Sequence, residues 1–472
     1  MRNFIGRGQY LKLFETAWAR DRSTLIAVYG RRRVGKSSLI RQFANRKQTL
    51  FFEGLEGEST ATQIAHFLKQ LSVQVSEPHL ADLKYSDWSD VFALLSQILN
   101  RYSDVVLVFD ELTWMASSRN KLVSLIKVFW DQHWKSHPHC VLILCGSIAS
   151  WMVKNVVRSK ALYGRISHQI LVEPLDPKEV AQFVGQARGE QEILEYLLCF
   201  GGIPRYLEEF DFKKSISWNI EHACLARSGF FFEEADKIFY NQFKETQVYK
   251  KIVHTLLSKG PSSLDILAKA TRQPTGGGFK AYLENLQSAG IISGLFQIHH
   301  WKVSKQAKYC LSDEFLAFDG KILGPVRQSL SARTEKGAFL KWISPQWNAY
   351  LGYAFERFCQ KNAHRIAELL EIDSQVKGAS ALILEGLKKG TKAQLDLVFL
   401  RRDPVITYCE IKYSRNRLGP EVIAEVEQRH QRIQWPKGCS IERVLIVNQE
   451  PVDSVRKSGY FHQIITASQL LK

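Results

Sequence analysis

The chain has 472 residues, 45% of them hydrophobic and 24% charged, and its 64 Lys plus Arg against 47 Asp plus Glu give a formal net charge of +17. That mix is the one expected of a folded protein of roughly three domains at about 150 residues each, and it excludes a mainly disordered chain, a coiled coil and a collagen. The basic excess points to a polyanion partner, nucleic acid before a membrane surface. It is also uneven: residues 1–240 carry 30 basic and 26 acidic side chains, residues 241–330 carry 12 and 6, and residues 331–472 carry 22 and 15.

Thr24-Leu25-Ile26-Ala27-Val28-Tyr29 reads as a buried strand. Gly30-Arg31-Arg32-Arg33-Val34-Gly35-Lys36-Ser37-Ser38 follows, and Leu39-Ile40-Arg41-Gln42-Phe43 then opens a helix. This is G-x-x-x-x-G-K-S in its required strand-to-helix context. The glycines let backbone N–H groups turn toward phosphates, Lys36 reaches the β- and γ-phosphates of ATP, and the Ser37 hydroxyl ligates Mg²⁺. Arg31, Arg32 and Arg33 also read as a solvated basic turn. Val105-Val106-Leu107-Val108-Phe109 is a second buried strand ending in Asp110-Glu111. Its position gives Asp110 the Mg²⁺ and Glu111 the attacking water as general base, unless the pair merely ends the strand. Val141 to Cys145 is a third strand, followed by Gly146-Ser147. Ser147 there senses the γ-phosphate or caps a helix.

These residues resemble the AAA+/STAND-type ATPases often called archaeal ATPases, which also occur widely in bacteria. The resemblance is carried by Phe4-Ile5-Gly6-Arg7, by Tyr29 to Lys36, by Leu162-Tyr163-Gly164-Arg165 and by Gly201-Gly202-Ile203-Pro204-Arg205-Tyr206-Leu207. It implies that the first motif lies near the adenine pocket and that the last lies in a helical lid. The motif at Leu162 would follow the sensor strand. Arg165 is then a candidate for the γ-phosphate, in cis or from a neighbouring chain; the other reading is a surface pair with Glu173.

Residues 246–258 read as a helix with Val248, Ile252, Leu256 and Leu257 on one face. Gly260-Pro261 ends it, Ser263 to Ala270 forms a second helix, and Gly276-Gly277-Gly278 opens a third. Ile292 to Leu311 reads as two strands. Three helices and a hairpin make a winged helix-turn-helix, a module the family has at this place. Lys280 near the third helix's start and His299, His300, Lys302 and Lys305 on the wing would meet DNA. Packing or lid duty is the other reading.

In the last third, Phe355-Glu356-Arg357-Phe358 lies in a helical pattern. Gln394 to Leu400 is a strand holding Asp396, and Ile406 to Lys412 is the next, joined to it by a turn at Arg401-Arg402-Asp403-Pro404. Carboxylates are poor strand residues and need a reason to be there. The strand period of two puts Glu410 and Lys412 on one face, and Asp396 can point at Glu410 across the hairpin. Carboxylates bind Mg²⁺ or Mn²⁺, which activates water on a phosphate, and Lys412 orients or deprotonates that water. The D-x₁₃-E-x-K pattern resembles the PD-(D/E)XK nuclease fold, with Glu356 at its first acidic position, Gln394 facing the same side as Asp396, and Leu395 where the motif's name has Pro. An inert salt-bridge network is the alternative. Arg415, Arg417, Arg429, His430 and Arg432 beyond the site contact phosphates or form a solvated face.

Eight scattered cysteines without a C-x-x-C pair, no apolar leader segment and no run near the ~18 residues of a span lead to the expectation of a reduced, soluble, cytoplasmic protein. His137-Pro138-His139-Cys140 looks metal-like, but no second ligand cluster follows at zinc spacing.

The expected fold is α/β. An AAA+-like P-loop NTPase core with helical lid spans 1–240, a winged helix-turn-helix spans 241–330, and an α/β restriction-endonuclease-like domain spans 331–472. The expected function is ATP hydrolysis coupled to a Mg²⁺-dependent nuclease-like domain acting on DNA in processing or defence, with ATP, DNA and further copies of the chain as partners and no membrane. The alternatives are a nucleotide-switched signalling ATPase whose last domain binds DNA or a partner without cutting, and a chaperone-like or translocating motor.

Overall fold

The computed structural model describes residues 4–116, 120–243, 245–329, 336–385 and 392–472. The expected boundary between 330 and 331 lies outside these residues. The chain divides into two units, Met1–Pro174 and Leu175–Lys472. The segment 175–240, grouped with the NTPase core on sequence, is part of the second unit.

The first unit is built on β1 (Thr24–Tyr29), β2 (Thr49–Glu53), β3 (Asp104–Asp110), β4 (His139–Gly146) and β5 (Ile166–Leu171), in the order β2-β3-β4-β1-β5 and all parallel. Near-continuous apolar runs such as Val105 to Phe109 suit strands covered on both faces. Successive side chains go to opposite layers. Val106 and Val108 join Phe14 of helix α1 (Gly8–Trp18) and Leu39, Ile40 and Phe43 of α2 (Lys36–Ala44). Leu107 and Phe109 join Phe67 of α3 (Thr60–Gln74) and Trp88 and Phe92 of α4 (Trp88–Leu99). Phe109 stacks on Phe92 with centroids 5.7 Å apart and meets Trp134 edge-on at 6.2 Å. Aromatic pairs of this kind add about 0.5–1.5 kcal/mol each beyond area burial, and here they fix the residue immediately before Asp110.

The second unit contains α5 (Pro177–Val184), α6 (Glu190–Phe200), α7 (Thr246–Lys259), α8 (Leu264–Thr271) and α9 (Gly277–Ser288). The region expected as two long strands is four short ones: β6 (Ile292–Leu295) pairs with β9 (Lys308–Leu311), and β7 (Ile298–His299) pairs with β8 (Lys302–Val303). His300 and Trp301 both take positive φ to turn the inner hairpin. That hairpin is seated on the last domain. The Ile298 amide donates to Ser380 Oγ at 2.8 Å, and the Trp301 ring lies tilted against Trp435 with centroids 5.1 Å apart. A Cβ on Gly378 would meet Val303 Cγ2 at 2.6 Å. His299, His300, Lys302 and Lys305 remain exposed.

Helix α10 (Ser344–Lys361) precedes the second sheet, β10 (Val376–Glu385), β11 (Lys392–Arg401), β12 (Val405–Lys412), β13 (Ser440–Val447) and β14 (Gln463–Thr466), with α11 (Glu421–His430) between β12 and β13. The order is β10-β11-β12-β13-β14; the first two pairings are antiparallel and the last two parallel. One hydrophobic core runs from Leu175, Val180 and Phe200 through Phe315, Trp347 and Phe355 to Leu397, Cys409 and Ile446. The other sheet face packs Val398, Leu400 and Tyr408 on Val422 and Val426 of α11, and it includes Ile298.

Gly202 shows how tightly the second unit is closed, since a Cβ there would lie 1.9 Å from the Leu175 carbonyl oxygen. Gly202→Ala is expected to cost about 2–3 kcal/mol in a denaturant melt of the full chain. Gly276→Ala, whose Cβ meets nothing within 4 Å, should stay within ~0.5 kcal/mol of wild type.

Candidate functional site

Because β1, β3 and β4 run parallel side by side, the loops after all three leave the sheet at one end, where nucleotide crevices form. The loop after β1 holds Gly30 at φ 152° and Gly35 at φ 87°. Gly35 is the N-cap of α2 and supplies no side-chain cap. The first-turn amides of α2 and the helix dipole are therefore directed at whatever anion the loop encloses. Lys36, only 5% exposed, turns its Nζ back to the carbonyl oxygens of Gly30 (3.1 Å) and Arg31 (2.9 Å). Burial lowers its pKa, opposed by the nearby Glu111 and Asp110. Ser37 Oγ donates to Asp110 Oδ2 at 2.5 Å. The serine and the carboxylate expected to share Mg²⁺ are thus in contact.

Glu111 sits in the left-handed region at φ 48°, a conformation costing about 1–2 kcal/mol for a residue with a side chain. The turn brings its carboxylate to Ser147, whose hydroxyl donates to Oε1 and whose amide donates to Oε2 at 3.3 Å. Burial raises the Glu111 pKa, and the Ser147 hydroxyl bond counteracts it. Ser147, read from sequence as a phosphate sensor or a cap, is here the partner of the expected base. Arg32 pairs with Glu56 at 3.2 Å and lies over the Trp114 ring at 5.3 Å.

Arg165 forms a bidentate pair with Asp131, Nε to Oδ1 at 2.7 Å and a second nitrogen to Oδ2 at 2.8 Å, and this pair pulls the Asp131 carboxyl down to about 2. Glu173, the surface partner expected from sequence, instead gives its carbonyl oxygen to Arg7. Arg7 also donates to the Val34 carbonyl of the phosphate loop at 2.8 Å. The metal-like run after β3 makes ordinary contacts, His137 to the Leu99 carbonyl at 3.1 Å and His139 to Asp104 at 2.7 Å.

In the second unit, Glu410 is 2% exposed and held by two cations, Lys412 Nζ at 3.2 Å from Oε1 and Arg429 of α11 on Oε2. Arg429, a sequence candidate for phosphate, is thus spent on the acid. Lys412 also reaches Glu425 at 2.9 Å. Asp396 accepts the Ile411 amide on Oδ2 at 3.0 Å. The pairing of β10 with β11 shifts register between Ser380/Val398 and Leu382/Leu395. Leu395 therefore faces the α11 side, whereas Leu397, two residues on, faces α10. Asp396 lies in that irregularity, which re-aims its side chain. Gln394 donates to Glu356 at 3.4 Å, and Gln360 bridges Glu356 (3.0 Å) and the Asp396 carbonyl (3.0 Å). Burial first, then Glu410 and Glu356, push the Asp396 carboxyl well above the usual range, and burial raises Glu356 as well. A carboxyl raised by two neighbouring acids is one whose ionised form a nearby positive charge would favour. Among the described residues, no three His, Cys, Asp or Glu side chains are grouped as metal ligands. No helix of the described residues is long and apolar enough to cross a membrane.

Residues 4–210 match the family model of an ATPase domain predominantly from Archaea. An uncharacterized protein of Methanocaldococcus jannaschii is 27% identical over 419 residues, covering 87% of each chain. An uncharacterized ATP-binding protein of the same organism is 42% identical over 45 residues, 10% of this chain and 76% of that one. Among solved structures, a Walker-type ATPase of Pyrococcus abyssi matches 68% of this chain and 96% of its own at 20% identity and a TM-score of 0.49. The chain is an ATP-hydrolysing enzyme whose residues 4–210 resemble that ATPase domain.

Proposed function

We propose that the protein is an ATPase acting on DNA, in which nucleotide turnover governs a nuclease-like C-terminal domain. The observation that carries the ATPase half is the contact set at the ends of β1, β3 and β4: Lys36 in the loop, Ser37 on Asp110, and Ser147 on Glu111. Lys36 and the α2 amides bind the triphosphate, Ser37 and Asp110 hold Mg²⁺, and Glu111 takes the proton of the attacking water. Mg²⁺, when bound, neutralises charge on the phosphates. Gly30, Arg31, Arg32, Arg33, Val34, Gly35 and Ser38 complete the loop. Arg165 contributes to the γ-phosphate only by leaving Asp131.

The DNA half is supported by the excess of basic over acidic residues in 241–472, by the exposed His299, His300, Lys302 and Lys305, and by the Glu356, Asp396, Glu410 and Lys412 cluster. Residues 241–330 act as a winged helix-turn-helix and residues 331–472 as a PD-(D/E)XK-like domain. Asp396 and Glu410 take Mg²⁺ or Mn²⁺ once Arg429 releases Glu410. The Arg429 contact also favours a second reading, a nucleotide-switched ATPase whose last domain binds DNA or a partner without cutting it.

Lys36→Ala should reduce ATP turnover by about 10² or more, and Glu111→Gln by about 10²–10⁴; intact turnover in Glu111→Gln removes it as the base. Turnover should fall as pH drops through the raised Glu111 value, because the base must be ionised. Ser147→Ala deletes a hydrogen bond that favours the ionised form, so the acid limb of its pH–rate profile should move to higher pH. Mg²⁺- or Mn²⁺-dependent DNA cleavage should be lost in Asp396→Ala and Lys412→Ala. If wild type and Lys412→Ala behave alike and neither cleaves with any metal, the non-cleaving reading replaces the nuclease.

A further inference from the structure

In the second unit, β12, β13 and β14 run parallel, and Lys412, Val447 and Thr466 stand level across them. The segments after these three residues therefore leave the sheet side by side, at the end of parallel strands where ligand crevices form. Between those segments and α6 lies a cleft of about 710 Å³. It is lined by Arg415 after β12, Gln449 after β13 and Gln469 after β14, with Gln191 of α6 opposite. That volume falls within the ~300–1,000 Å³ of small-molecule clefts.

Most polar groups of the lining already have partners. Asn448, 8% exposed, accepts the Ser414 amide on Oδ1 at 2.8 Å, and its Nδ2 donates to the Ser414 carbonyl at 2.8 Å and to Gln191 Oε1 at 3.1 Å. Gln449 Nε2 donates to the carbonyls of Ser414 (3.0 Å) and Arg415 (2.9 Å). Both its hydrogens are spent, which leaves Oε1 as an acceptor held in one orientation. Gln469 is the reverse. Its Oε1 accepts the Thr466 amide at 2.9 Å and the Thr466 hydroxyl at 3.4 Å, which leaves Nε2 as a fixed donor. The three carboxylates of the lining are engaged: Glu190 by Ser468 at 3.0 Å, Glu195 by the Tyr413 hydroxyl at 3.2 Å, and Glu450 by Arg456. Among the described residues, the exposed side chains of Arg415 and Lys472 make no hydrogen bond or ion pair. The groups left for a ligand are thus one amide acceptor, one amide donor and two cations.

We propose that this cleft binds one nucleotide unit, its phosphate on Arg415 and Lys472 and its base edge on Gln449 Oε1 and Gln469 Nε2. An unpaired base presents donors and acceptors together on its edge, and oriented amides match both. A guanidinium without a protein partner suits a phosphate. An inorganic anion would leave both amides unmet. A free nucleoside 5′-phosphate and the phosphorylated end of a strand present the same chemistry. Lys412 of the acidic cluster stands in the row that opens the cleft, so the unit is held on the same edge of the sheet as that cluster. The site rests on the reading of residues 331–472 as a nucleic-acid domain, and its test does not require cutting.

Binding is measured on the full chain in EDTA, where no metal-dependent cleavage runs. Calorimetry uses dAMP, dGMP, dCMP and TMP, the matching nucleosides, and inorganic phosphate. Fluorescence anisotropy uses a short labelled single strand with and without a 5′-phosphate. At least one nucleotide should bind, and Arg415→Ala should weaken it by about tenfold or more. Gln469→Glu keeps the oxygen that Thr466 uses and replaces the donor by an acceptor. Its melting temperature should match wild type, and it should weaken both the nucleotide and its nucleoside by about tenfold or more. Arg415→Ala should leave the nucleoside unchanged, and Lys36→Ala should leave this binding component unchanged, which separates it from the phosphate loop. Binding of the phosphorylated strand alone, still sensitive to both variants, assigns the cleft to a strand end. Inorganic phosphate that binds as tightly as the nucleotides, binding that ignores both variants, or no binding of any probe overturns the site. Absence of DNA cleavage in wild type with Mg²⁺ or Mn²⁺ overturns only the nuclease reading.

Discussion

Everything at the nucleotide end depends on the pairing of β4 with both β1 and β3. Leu144 is level with Ala27 on one side and with Phe109 on the other. That single register brings the phosphate loop, the Asp110-Glu111 turn and Ser147 out of the sheet within a residue or two of the same height. A one-residue slip would send Asp110 to the opposite face. The apolar layers on either side, with Phe109 locked among Phe92 and Trp134, make such a slip costly. The chemistry is thus positioned by residues that carry none.

The charges placed there are kept in an uneasy balance. Burial disfavours the charged form of both Lys36 and Glu111, and each is partly supported by the other's field. Lys36 leans on loop carbonyls and Glu111 on Ser147, so neither depends on bulk water. The second cluster is balanced differently. Glu410 and Glu356 raise Asp396, and the compensating positive charge on Glu410 comes from Lys412 and Arg429. One site is arranged around an incoming anion, and the other holds surplus negative charge under internal cations.

Much of this was legible in the sequence because it rests on short-range pattern. The strand Thr24–Tyr29, the phosphate loop and the helix after it, the carboxylates ending β3, and the acidic residues inside β11 and β12 all follow from apolar runs interrupted by residues that do not belong in them. What stayed hidden depends on partners distant in sequence. Arg165 chose Asp131, 34 residues back, which no local rule selects. Arg429 closing on Glu410 requires knowing how α11 lies on β12. The register shift at Asp396 breaks the simple in-out alternation of a regular strand. Glu195 drew no notice because an isolated glutamate in an amphipathic helix looks like solvent-facing polarity, and only packing shows it joined to Tyr413.

The seating of the β7–β8 hairpin has a consequence for how the chain behaves in company. β10 is an edge strand of the second sheet, ten residues long and with Ile383 exposed. A long edge with unpaired backbone groups invites other chains to add strands. Val303 lying against Gly378, and Ser380 engaged with Ile298, occupy the first half of that strand and break up the stretch a foreign strand would need. The hairpin therefore guards the protein against sheet-to-sheet aggregation, and any partner that pulled it away would expose a sticky edge.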